Sequence, residues 1–466
     1  MKYISTRGSA PVLEFDEVLL TGLASDGGLY LPESWPRFMA GDIRALRGLS
    51  YAETAFRVMA PFAGRAIGEA ELQDLIAQAY GSFGHKAVAP LKQVDHRLWL
   101  MELFHGPTLA FKDVALQLVG RLFDHVLRRR GERVTVIGAT SGDTGSAAIE
   151  ACRDSDAVDI FMLHPHGRIS EVQRRQMTTV LSANVHNIAI AGTFDDCQDL
   201  VKAMFADQGL RQQLRLSAVN SINWARVMAQ IVYYVTAAVA LGAPDRRLAF
   251  AVPTGNFGNV YAAYAAWQMG LPIDRLVIGT NRNDILHRFF ASGRMSVGTV
   301  EPSLSPSMDI QVSSNFERLL FDLYDRDGAR VARTQAGFRA EGSFALDASA
   351  LARAKALFES TRVSDEETLA TIARIRAETG EIIDPHTAVA LEAAGRSTLA
   401  PATPLVALAT AHPAKFPDAV EAAIGLRPAL PPRLADLGSR PERVTVLPND
   451  LAAVSAYLRQ HARLGA

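Results

Sequence analysis

Apolar residues recur at two periods along this chain. From about residue 88 onward, short unbroken apolar runs alternate with longer segments whose apolar positions fall every three to four residues. Leu98–Met101, Val134–Ala139, Asp159–Leu163 and Val185–Ala191 read as strands, and so do Leu248–Val252, Arg275–Thr280 and Pro404–Thr410. Helical segments lie between them. Val114–Val119 continues a helix, and Ala147, Ala148 and Ala151 mark the next. Cys197, Leu200, Val201, Met204 and Phe205 form one stripe, and Val227–Ala240 is a long apolar helix. Ala262, Ala263, Ala265 and Ala266 belong to a helix stopped by Gly270 and Pro272. Repeated strand–helix units predict an α/β fold, its mostly parallel sheets flanked by helices.

Two regions depart from that rhythm. Before residue 85 the turn Gly27–Pro32 and the helical stretches Tyr51–Met59 and Glu69–Tyr80 suggest a small helical cap. Residues 299–345 read as irregular, broken by Pro302, Pro306 and Gly342. Helices follow at about 348–360 and 364–379, and another starts at Asp384-Pro385. Residues 427–443 read as a Pro-rich loop and Val444–Leu464 as a strand and helix. Ser170–Gln173 and Ser314–Glu317 have capping-box spacing.

Composition narrows the class. With 466 residues, 48% of them hydrophobic, two or three domains are expected. A net charge of -1 offers no basic face for nucleic acid. The first eight residues lack the apolar core of a signal peptide, and no apolar run is long enough to span a bilayer. Cys152 and Cys197, the only cysteines, sit in helical patterns. They read as reduced packing thiols, not a disulfide or a metal site. A cytoplasmic enzyme is the expectation.

Three polar loops then stand out. In Phe104–Asp113 one lysine, Lys112, sits between apolar residues where a loop enters a helix. Desolvation there favours the neutral amine, which can attack an aldehyde and form a Schiff base; an arbitrary lysine would instead snorkel to solvent. Gly255-Asn256-Phe257-Gly258-Asn259 joins a strand to a helix, so its amides and the helix end suit a phosphate. It lacks the Walker lysine and the dinucleotide glycine spacing, and an ordinary tight turn remains the other reading. Thr140–Gly145 suits a carboxylate or phosphate, or simply caps its own helix.

Together these loops resemble the fold-type II pyridoxal phosphate enzymes, the tryptophan synthase β family. Gly-Gly-Leu-Tyr-Leu-Pro from Gly27, His-Gly-Pro-Thr-Leu-Ala-Phe-Lys-Asp from His105 and Ser-Ile-Asn-Trp-Ala-Arg from Ser221 narrow the likeness. So do Pro-Thr-Gly-Asn-Phe-Gly-Asn from Pro253, Ser-Asn-Phe-Glu-Arg from Ser314 and Ala-Thr-Ala-His-Pro-Ala-Lys-Phe from Ala409. These motifs are similar to the threonine synthase family in its long bacterial and fungal branch, from Met1 to about Val420. The resemblance implies a cap over residues 1–87 and a large cofactor-binding domain over 88–120 and 236–430. It implies a small substrate domain over 121–235, with 431–466 as a tail.

Roles follow from the resemblance. Lys112 would carry pyridoxal 5'-phosphate as a Schiff base and then act as the mobile base. Gly255, Asn256, Phe257, Gly258 and Asn259 would hold the cofactor phosphate. Asp143 would face the cofactor's 3'-oxygen, either protonated or through another donor. Thr410 would meet the pyridine nitrogen, where a hydroxyl makes the ring a weaker electron sink than a carboxylate would. Ser141, Thr144, Ser221, Asn223 and Arg226 would form the substrate's anion pocket. Arg226 matches a phosphate in a two-bond fork, and Ser221 serves equally as a helix cap. His105, His386 and His412 are expected to be structural, and the 307–318 loop with Phe316 to close over the site. The implied reaction converts O-phospho-L-homoserine and water to L-threonine and phosphate by β,γ-elimination and replacement. The released phosphate would assist the water step. The alternative is a phospholyase that releases phosphate, ammonia and a 2-oxo acid. The chain is expected to act as a monomer or homodimer.

Overall fold

A computed structural model describes residues 1–218 and 220–463. Two sheets organise it. The larger runs in the order Phe358–Arg362, Ile273–Thr280, Leu248–Pro253, Leu405–Ala409, Leu98–Glu102, Leu91–Gln93. All neighbours are parallel except the edge pair Leu91–Gln93 and Leu98–Glu102. The smaller sheet is wholly parallel, in the order Thr445–Pro448, Val185–Ala191, Val158–Pro165, Val134–Ala139, Leu216–Ser217. Leu248–Pro253, Leu405–Ala409 and Val158–Pro165 are buried at every position. Strands covered on both faces read as continuous apolar runs, which is why these were legible.

The helices Trp224–Ala240 and Lys112–Arg130 pack together, and Tyr51–Ala63 from the N-terminal region lies on the first of them. Trp224 is the hub, with the rings of Phe62, Trp35 and Tyr3 at 5.6, 5.9 and 6.1 Å. A buried ion pair, Arg7 to Glu317 at 2.9 Å, ties the first residues to the far part of the chain.

Several local expectations needed correction. Residues 299–345 hold two helices, Phe316–Leu323 and Gly328–Glu341. No capping box forms at Ser314–Glu317, because Glu317 turns away to Arg7 and Thr6. Ser170 does cap Glu171–Thr178, but the box does not close on the cap backbone: Gln173 Oε1 accepts the Ser170 hydroxyl at 3.0 Å while its Nε2 donates to Asp143. The helix Ala348–Leu357 stops where Ser and Thr begin, and Phe358–Arg362 becomes the parallel edge strand beside Ile273–Thr280. Those residue types favour a pleated edge over a helix. The strand and helix expected at the end do form, as Thr445–Pro448, which extends the smaller sheet, and Leu451–His461. Leu464, the expected end of the last helix, lies outside the described residues. Among the described residues, no helix is long and apolar enough to cross a membrane.

Candidate active site

Four chain segments leave the C-terminal ends of parallel strands and meet in one cavity of about 1560 Å³. Thr254–Asn259 follows Leu248–Pro253, Thr410 follows Leu405–Ala409, and Lys112 comes after the loop that leaves Leu98–Glu102. From the smaller sheet, Thr140–Thr144 follows Val134–Ala139. Ligands of open α/β sheets bind in this crevice beyond the strand ends. The two sheets each contribute a wall.

Lys112 opens the helix Lys112–Arg130. Its loop is held by Thr108, whose backbone N–H and hydroxyl donate to Asp113 at 2.8 and 2.6 Å. Gly106 is obligatory there, since a Cβ would collide with the Asp113 side chain. Lys112 is 8% exposed. Its Nζ lies 3.4 Å from Ser307 Oγ and 3.5 Å from Asp143 Oδ2. Burial pushes the Lys112 amine down to about 8, against the pull of Asp143.

Burial alone would raise the Asp143 carboxyl. Lys415 foremost, then Lys112, overcome this and hold it well below the usual carboxylate range. These partners favour the ionised form of Asp143. Lys415 had been given no role. It is fully buried, with Nζ 2.7 Å from Asp143 Oδ1 and 2.7 Å from the Thr108 carbonyl. Gln173 Nε2 donates to the same Asp143 oxygen at 2.9 Å, and Ser307 Oγ to the other at 3.3 Å. The only sequence signal for Lys415 was its place in a quoted motif. Ser307 was marked only as part of the 307–318 loop, and Gln173 only by its capping-box spacing.

The Gly255–Asn259 loop lines the cavity through its backbone. Phe257 has a left-handed φ of 64°, and its ring is buried against Phe316 and Phe358. Among the described residues, the N–H groups of Gly255 through Asn259 meet no acceptor. Asn259 Oδ1 accepts from the hydroxyls of Tyr233 and Tyr234, the latter at 2.7 Å. That fixes the amide and leaves Nδ2 buried without a partner. A cradle of unmatched donors at a helix N-terminus fits a phosphate. Thr410 also lines the cavity, and its carbonyl accepts from Phe111, the neighbour of Lys112, at 2.8 Å. The geometry and donor set thus fit an aldehyde with a phosphate tail.

A second group of donors faces the same space. Arg226 is 3% exposed, yet among the described residues its Nε and Nη1 have no partner. Burial pushes its guanidinium down to about 10. Ser141, Thr144 and Ser221 share the lining with it. Asn223 does not join them. It caps Trp224–Ala240 by accepting from Ala225 at 2.9 Å and donates to the Leu19 carbonyl at 2.7 Å. The sequence had offered Ser221 as that cap. His386 does reach the cavity, held by Asp384 at 2.7 Å and accepting the Ser307 N–H at 3.3 Å. His105 is paired with Glu102 at 2.7 Å, and burial pushes His412 down to about 4. Neither of these two lines the cavity.

Comparison with known proteins is consistent throughout. Residues 2–80 match the family described as threonine synthase N terminus, 85–340 the pyridoxal-phosphate dependent enzymes, and 387–458 the threonine synthase C-terminal region. A threonine synthase of Pseudomonas aeruginosa is 60% identical, over 100% of this chain and 99% of the relative. A crystal structure of threonine synthase from Brucella melitensis with pyridoxal phosphate bound superposes with a TM-score of 0.98 at 54% identity, covering 99% and 100% of the two chains. The yeast enzyme gives 0.95 at 40% identity, covering 99% and 98%. The chain is thus a pyridoxal-phosphate dependent lyase, and it belongs to the threonine synthase family.

Proposed function

We propose that this enzyme converts O-phospho-L-homoserine and water to L-threonine and inorganic phosphate. One observation carries the choice of substrate: a buried arginine with two unmatched nitrogens faces the cavity that Lys112 enters, apart from the glycine-loop amides. A site with two donor groups of this kind suits two phosphates, one on the cofactor and one on the substrate.

In this reading Lys112 binds the cofactor, the amides of Gly255–Asn259 with Asn259 Nδ2 hold its phosphate, and Thr410 meets its ring nitrogen. The cofactor supplies an electron-withdrawing ring that stabilises negative charge on the substrate carbons. Lys112 Nζ, which burial brings down to about 8, serves as the mobile base that removes first the α-proton and then one β-proton. Arg226, with Ser141, Thr144 and Ser221 beside it, grips the γ-phosphate and stabilises it as the Cγ–O bond breaks. With the phosphate cleaved, the γ-carbon takes up a proton. Water delivers hydroxyl to the β-carbon while the phosphate still held at Arg226 takes the remaining proton of that water, and Lys112 returns a proton to the α-carbon. The segment around Ser307 lies against Gly255 and covers the cavity, excluding water that must not attack early.

The larger sheet with its helices, residues 88–120 and 236–430, forms the cofactor body, and residues 121–235 form the body that closes on the substrate, with residues 1–87 as a cap. The enzyme acts in the cytoplasm, as a monomer or homodimer. The test is to supply O-phospho-L-homoserine and assay threonine and phosphate in one sample. Equal amounts of both are expected. Phosphate accompanied by ammonia and a 2-oxo acid in place of threonine would overturn the reading in favour of a phospholyase.

A further inference from the structure

Asp143 poses a problem for its neighbour. A buried carboxylate beside a single ammonium forms an ion pair, and an ammonium in such a pair keeps its proton. Lys112 must shed that proton to attack an aldehyde. The structure places a second cation on the same carboxylate. Lys415 reaches Asp143 Oδ1 at 2.7 Å, whereas Lys112 stands 3.5 Å from Oδ2. The better-matched oxygen is the one facing Lys415, because Gln173 donates there too. The Lys415 side chain is 0% exposed and also bonds the Thr108 carbonyl, so it cannot swing to solvent.

We propose that Lys415 is a positioning residue for the cofactor lysine: clamped between Asp143 and Thr108, it keeps Asp143 charged without letting that carboxylate hold a proton on Lys112. The surrounding charges agree. Facing this cluster are Lys112 and Asp113 on one helix, Asp143 on a second, Arg226 on a third, and His386 with Asp384 on a fourth. Of these, Asp143 favours the charged Lys112, while Lys415 and Arg226 oppose it. The same cation also offsets the carboxylate that would otherwise face a phenolate oxygen on the cofactor.

The inference rests on Lys112 as the cofactor lysine but not on the identity of the substrate. It is tested without substrate. The full chain, stripped of cofactor, is mixed with pyridoxal phosphate from pH 6 to 10, and capture is followed by visible absorbance. Capture requires the neutral amine, so its rate rises through the Lys112 midpoint. In Lys415→Met the midpoint is expected to move up by about one pH unit or more, which below both midpoints slows capture about tenfold. Lys415→Arg retains the charge and the wild-type midpoint. A merely structural role would lower stability or yield and leave the midpoint in place, and that result would overturn the proposal. Should Lys415→Met fail to fold, Asp143→Asn decides. Two cations then face each other with no anion, so the midpoint must fall, and an unmoved midpoint refutes the scheme. Failure of the wild-type chain to capture cofactor would instead sink the assignment of Lys112.

Discussion

Arg226 is predicted to serve binding at the expense of stability, and both halves can be measured on one variant. The side chain is 3% exposed and its Nε and Nη1 are unmatched. Burial pushes its guanidinium down to about 10, which corresponds to about 3 kcal/mol of extra cost for carrying the charge. The sign is that of a base with a depressed folded-state value. The penalty is present at neutral pH and is relieved only as pH rises past 10. Arg226→Met keeps most of the apolar stem and removes the charge. The cofactor-loaded variant should therefore melt at or above the wild-type temperature, by up to a few degrees. With substrate the order reverses. Each charge-assisted bond to phosphate contributes roughly 1.5–3 kcal/mol. Two of them, taken conservatively at about 3 kcal/mol together, amount to about a hundredfold in kcat/KM. Steady-state assays of phosphate release and thermal melts of the loaded enzyme give the two numbers. A variant with wild-type kcat/KM would remove Arg226 from the substrate pocket. One that loses several kcal/mol of stability would show that a partner had been holding the charge.

Other perturbations separate the parts of the site. Lys112→Ala should abolish the visible absorbance of bound cofactor and all turnover while the far-ultraviolet dichroism stays native; threonine formation near the wild-type rate would refute its role. Asn259→Asp sets a carboxylate in place of the unpartnered Nδ2 of a cavity-lining residue and should weaken cofactor affinity at least tenfold, read by equilibrium titration with pyridoxal phosphate. Glu317→Ala leaves Arg7 half-buried and unpaired, so denaturant unfolding should show a loss of about 3 kcal/mol. An unchanged midpoint there would mean that Arg7 finds water instead.

The sequence disclosed most of what the backbone does and little of what the side chains share. Strands such as Val134–Ala139 and Val185–Ala191 were readable to the residue because they are mostly buried and rich in Val and Ile, although Thr135, His186 and Asn187 interrupt the apolar run. The edge strand Phe358–Arg362 was not, because one exposed edge mixes Glu, Ser and Thr into the pattern. Ser170–Gln173 and Ser314–Glu317 had the right local spacing, yet Gln173 and Glu317 found distant partners in Asp143 and Arg7. A local rule names an available bond, and a buried ion at long range offers a stronger one. Asn223 shows the converse. It stood inside a functional motif, but its amide is used up by the helix end and the Leu19 carbonyl.

Lys415 lies 303 positions from Lys112 in the chain, and spacing carries no information across that separation. Charge counting does. Lys112 and Lys415 share the carboxylate of Asp143, whereas Arg226, on the cavity wall, has no ion-pair partner among the described residues. A buried excess of positive charge is costly unless anions arrive to match it. The amides of the glycine loop add partial positive charge of their own. Two phosphate groups answer that imbalance in sign. On this view the pocket selects phosphorylated ligands because the folded chain is electrostatically incomplete without them. An arginine with idle nitrogens, a lysine poised near its neutral form and a carboxylate shared by two amines are three aspects of one charge distribution.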